Sequence, residues 1–121
     1  MSTSMTVVFK IFRLGEWLEF AKRGTFPGSP DDVRDGFIHL SSPKQLQGTL
    51  DKHFADEHLI VLAEFAPEAL GGALKYEPSR AGELFPHYYA ELSASYMRAA
   101  WRLVRGKNGF DVRIAAKAHV T

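Results

Sequence analysis

The chain has 121 residues, with 15 Lys and Arg against 14 Asp and Glu, and no cysteine. That length makes one domain. The missing thiols exclude disulfides, thiolate metal sites and a cysteine nucleophile, and a net charge of +1 gives no field to attract nucleic acid or an anionic membrane.

The expected domain covers residues 6–114, with 1–5 and 115–121 as flexible ends. No signal-peptide pattern opens the sequence, and no run approaches the roughly 20 apolar residues that span a bilayer. A cytoplasmic location is therefore expected. Residues 7–13 read as a strand, with Val7, Phe9 and Ile11 on one face and Val8, Lys10 and Phe12 on the other. Residues 15–23 read as a short helix, with Trp17, Leu18 and Ala21 at helical spacing and Gly24 placed to cap its end. Residues 25–35 hold Pro27, Gly28, Ser29 and Pro30, a loop with room for one helical turn at its end.

A short strand is expected over 36–41. Ser42-Pro43-Lys44-Gln45 then opens a helix: Ser42 caps, Pro43 fits the first helical position and Gln45 completes a capping box. That helix runs to about residue 55 on a stripe of Leu46, Leu50 and Phe54. Residues 59–65 are apolar on both faces, as in a central strand covered on both sides. A turn over 67–72 and a short strand over 74–77 lead into a long irregular loop, 78–89. Residues 96–104 alternate, Met97, Ala99, Trp101 and Leu103 facing in and Arg98 and Arg102 out. Lys107-Asn108-Gly109 signals a hairpin turn, with a last strand over 110–114.

Polar chemistry concentrates at 36–41. In a strand, Phe37, His39 and Ser41 share one face and Ile38 and Leu40 the other. An aromatic ring, an imidazole and a hydroxyl in a row suit a ligand pocket; a His39 that bonds a neighbouring backbone group and caps the core is the structural alternative. His87, between Pro86 and Tyr88-Tyr89, is a second candidate, since imidazole titrates near neutrality and tyrosine stacks or donates. Glu77 and Glu83 bracket the same loop, and either can orient a histidine or bind a ribose. Lys10 between Val8 and Phe12 is odd on a buried face unless it meets a phosphate or a carboxylate; an edge strand holding its charge in water is the alternative. His53 and His58 have no third ligand at metal spacing, so no metal site is expected. Gly71-Gly72 is a turn and forms no phosphate loop.

The segments Gly36-Phe37-Ile38-His39-Leu40-Ser41 with Gln45, and Phe85-Pro86-His87-Tyr88-Tyr89, resemble the bacterial domain-of-unknown-function family nine-five-two along nearly the whole chain, together with Trp17 and the Leu-rich strand. That family is remotely similar to the ADP-ribosyltransferase-like superfamily. The resemblance implies an α+β fold: a split, mainly antiparallel β-sheet with two short helices, gripping NAD in its cleft. It implies catalytic roles for His39, His87 and Glu77, the last as candidate for a late glutamate that otherwise has no match. It implies ligand contacts from Lys10, Phe37, Ser41 and Tyr88. The expected ligand is a nucleotide or phosphorylated metabolite, with NAD as substrate or ligand and transferase-like or phosphotransferase-like chemistry. A non-catalytic module for a small metabolite and an interaction domain with structural histidines are the alternatives.

Overall fold

The computed structural model describes residues 6–113. The expected ends 1–5 and 115–121, and the close of the last expected strand at Ile114, lie outside the described residues.

Strand β1 (Val8–Arg13) pairs antiparallel with β4 (Leu59–Phe65), which pairs antiparallel with β8 (Met97–Val104), so β4 is central as its two-sided apolar sequence demands. Each face of this sheet has its own core. On one, Val8, Phe12, Val61, Ala63 and Phe65 pack under α1 (Leu14–Arg23), which contributes Phe20. On the other, Phe9, Ile11, Ile60 and Leu62 pack under α3 (Leu46–His53) through Leu46 and Leu50, with Phe54 beside them. The expected stripe therefore forms, preceded by a 3-10 turn, Pro43–Gln45, in which the Gln45 side chain accepts from the Ser42 N–H at 3.0 Å. Gly24 closes α1 with φ 80°, its N–H donating to the Phe20 carbonyl.

A second antiparallel sheet has the order β3 (Ile38–His39), β6 (Leu84–Tyr88), β5 (Leu74–Pro78), and a two-stranded ribbon joins β2 (Thr25–Phe26) to β7 (Leu92–Ser93). The sheets are antiparallel and split, as expected. Beside α1 and α3 stand two shorter helices, α2 (Pro30–Asp35) and α4 (Pro67–Leu70). No helix among the described residues is long and apolar enough to cross a membrane.

Three expectations change. The segment 78–89 is no irregular loop: β6 lies in the middle of its sheet, with a tight turn through residues 79–83 joining it to β5. Pro86 is tolerated because its carbonyl accepts from Leu40 N–H at 3.0 Å while its missing donor falls where β3 is already ending. The strand over 36–41 contracts to Ile38–His39, because Gly36 (φ 87°) and Phe37 both donate their N–H to the Asp32 carbonyl and so finish α2. Ser41 regains a strand contact through a two-way bridge with Phe9, at 2.8 and 2.9 Å. The turn at 107–109 forms between Gly106 and Gly109, but no strand follows it among the described residues, since Phe110 tucks into the core under α3.

Candidate functional site

The site grows from a residue that composition and motif left unremarked. Ser29 caps α2: its hydroxyl accepts from Asp32 N–H at 3.2 Å, and the Asp32 carboxylate accepts from Ser29 N–H at 2.9 Å, a reciprocal capping box. Gly28 makes room for it, since a Cβ there would stand 2.8 Å from the Asp32 Cβ. The carboxylate oxygen Oδ2 also takes the Lys10 ammonium at 2.8 Å. The other oxygen, Oδ1, accepts from the His39 N–H at 3.0 Å and meets His39 Nδ1 at 2.6 Å. Four donors thus surround a carboxylate that is 2% exposed, beside a lysine 5% exposed.

Burial on its own would raise the Asp32 carboxyl. The His39 hydrogen bond and the charge and hydrogen bond of Lys10 outweigh it and hold the group far below the usual carboxylate range. Lys10 therefore meets a carboxylate, one of the two partners its buried position called for. Its charge is neutralised by Asp32 within the fold, and Lys10 also lines the cavity described below. The second nitrogen of His39, Nε2, stands 3.0 Å from Asp35 Oδ2.

His87 stands directly opposite His39 across the β3–β6 ladder, with ring centroids 5.8 Å apart. Its Nδ1 is 2.8 Å from Glu77 Oε1, on β5. The same oxygen accepts from the Tyr89 hydroxyl at 2.7 Å. The bonds from Tyr89 and His87 lower the Glu77 carboxyl, and Glu77 raises the Tyr89 phenol in return. Phe37 stacks on His87 with centroids 3.9 Å apart and touches His39 at 4.6 Å.

These elements enclose a cavity of about 380 Å³ between the second sheet, α2 and α3. His39, Ser41, His87 and Lys10 line it, so four of the seven expected site residues converge there. Ser41 reaches Thr49 of α3, hydroxyl to hydroxyl, at 3.3 Å. Glu77 and Phe37 stand behind the wall as supports of His87. Tyr88 does not reach the cavity: one residue on from His87 it points to the opposite face and is buried with Ile38 and Leu92 in the core. Glu83 holds no histidine and instead accepts from Gln45 Nε2 at 3.1 Å. Among the described residues no group of three or more His, Asp or Glu is placed to hold a metal ion.

The chain is thus a small α+β protein of split antiparallel sheets whose cavity wall carries two carboxylate-bound histidines. It belongs to the family described as protein of unknown function (DUF952), whose model matches residues 11–100. The crystal structure of protein CC0527 from Caulobacter crescentus is similar to it, with 36% identity, a TM-score of 0.87, and 93% of this chain and 99% of that chain covered. The solution NMR structure of CC0527 is similar at 36% identity and a TM-score of 0.80, covering 97% of this chain and 100% of that one. No curated protein matches the chain.

Proposed function

We propose that the cavity binds a nucleotide or NAD-like phosphorylated small molecule, held by His39, Ser41 and His87. The observation that carries this reading is the pair of imidazoles at facing positions of β3 and β6, each fixed by its own carboxylate, on the wall of one cavity. Fixed polar groups of this kind suit ribose hydroxyls, and the apolar side chains of Ile11, Leu40 and Phe85 supply surface for a base. The split antiparallel sheets accord with the ADP-ribosyltransferase-like reading of the fold, in which NAD is the ligand. Transfer chemistry asks for a glutamate facing the ligand. Glu77, the candidate, is engaged by His87 and Tyr89 behind the wall, which favours binding over transfer.

Thermal shift against NAD, ADP-ribose, AMP, ADP and sugar phosphates tests the reading. A ligand at one hundred times its Kd stabilises by about 2.7 kcal/mol, roughly 10 °C for a domain of this size. At least one nucleotide is expected to give such a shift, diminished in Ser41→Ala and in His87→Gln. No shift from any of them at millimolar concentration overturns the proposal.

A further inference from the structure

Five cations line the cavity, and three are neutralised within the fold. Lys10 pairs with Asp32 at 2.8 Å, Arg13 with Glu57 at 3.0 Å, and Arg34 with Asp35 at 3.0 Å and Asp31 at 3.2 Å. The remaining two, Lys52 and Arg80, make no ion pair among the described residues. We propose that the Lys52–Arg80 corner is a phosphate subsite of this cavity, taking the phosphate monoester or diphosphate end of the ligand. The inference rests on the nucleotide reading above and names which end of the ligand goes where.

Arg80 is held in place by contacts that do not cancel its charge. Its guanidinium lies over the Phe85 ring, 5.0 Å from the centroid. It also lies against α3 at Gly48, where a Cβ would come within 3.2 Å of Nη2. The turn that carries it is braced by Ser79 N–H to the Glu83 carbonyl at 2.9 Å and Gly82 N–H to the Ser79 carbonyl at 2.9 Å. Within that turn Ala81 has φ 57°, the left-handed region that a non-glycine residue occupies only under strain. A strained turn that presents an uncompensated guanidinium to a cavity fits a ligand clamp. The planar fork of arginine matches two phosphate oxygens, and Lys52, one helical turn beyond Gly48, adds a point charge.

His53 reports the same concentration of charge. Burial, then Lys52 and Arg80, push its imidazole below the ordinary value; Asp31 pulls the other way and His39 adds to the lowering. A dianion seated between Lys52 and Arg80 reverses the contribution of those two cations.

Calorimetry and NMR on the full chain decide the matter, with inorganic phosphate, AMP and adenosine as probes. AMP is expected to bind at least tenfold more tightly than adenosine. Arg80→Met and Lys52→Met are each expected to weaken AMP at least tenfold and leave adenosine unchanged. Phosphate is expected to raise the His53 titration midpoint in the native chain and not in Arg80→Met. Gly48→Asp, which gains helix propensity while setting a carboxylate beside Arg80, is expected to weaken AMP as well. AMP binding that is indifferent to all three substitutions overturns the subsite and leaves the nucleotide reading standing. Phosphate binding that depends on Arg80, with AMP no tighter than phosphate, overturns the nucleotide reading and leaves the subsite. Binding of none of the probes overturns both.

Discussion

The two carboxylate–histidine pairs are built the opposite way round. In the first the carboxylate is buried and the imidazole open, the side chains of Asp32 and His39 being 2% and 38% exposed. In the second the imidazole is buried and the carboxylate open, His87 and Glu77 being 5% and 36% exposed. A buried charge survives only when it is fully paired, and Asp32 is, by four donors from three other residues. Asp32 is thus part of the fold itself, tying β1, α2 and β3 together. Glu77 is a surface group that sets the orientation of one ring. The inversion teaches that equal geometry at the two histidines hides unequal consequences for the rest of the molecule.

The largest expected effect breaks the pairs apart on stability. Asp32→Ala leaves Lys10 buried without its partner, strips the capping box of α2 and releases His39. A cost of about 3–5 kcal/mol is expected, typical for removing one partner of a buried ion pair. Glu77→Ala is expected to shift the urea midpoint by a small fraction of that amount, because water screens its interactions. Equal losses in the two variants would erase the distinction.

The next effect is in pH. The folded value of Asp32 lies below its unfolded value, so its contribution is fully present above about pH 4–5. As pH falls further, the unfolded chain takes up a proton that the folded chain refuses, and stability drains away until the folded value is passed. Denaturation from about pH 7 down to about pH 2 should show this loss in the native chain and a flatter profile in Asp32→Asn. Asp35 and Glu77 are lowered too, but both are solvent-screened and add little. An unchanged profile in Asp32→Asn would move acid sensitivity elsewhere.

How much of this was legible in the sequence follows from how local each signal is. The strand over 7–13, the central strand over 59–65 and the stripe of Leu46, Leu50 and Phe54 were readable because burial repeats at a fixed period. His39 and His87 stood out as rare side chains among apolar neighbours, and both reach the cavity. Asp32 was missed although its signal was present. Ser29-Pro30-Asp31-Asp32 repeats the pattern of Ser42-Pro43-Lys44-Gln45, a capping serine, a proline at the first helical position and an acceptor three residues after the cap. The same rule applied to both would have placed Asp32 at the start of a helix. Its contacts with Lys10 and His39 span 22 and 7 residues and depend on tertiary packing that no local pattern carries. Pro86 hid β6 for a related reason: whether a strand tolerates proline depends on what lies opposite, and only the sheet order answers that.

The smallest expected effect is the sharpest test of the inverted pairs, because it separates orientation from stability. With Glu77 Oε1 as acceptor, the neutral His87 ring carries its hydrogen on Nδ1 and presents the Nε2 lone pair. In Glu77→Ala the ring keeps its stack on Phe37 but loses the acceptor that selected this tautomer. Nitrogen shifts measured by NMR should show the Nδ1–H form dominating the neutral ring in the native chain and the Nε2–H form gaining in Glu77→Ala. The His39 resonances should hold still, since Asp32 is untouched. The Tyr89 phenol, now raised by Glu77, should fall toward its ordinary value in the same variant, as an ultraviolet titration reads directly. If His87 keeps its tautomer without Glu77, the Phe37 stack and the β6 backbone alone hold that ring, and the second pair is no counterpart of the first.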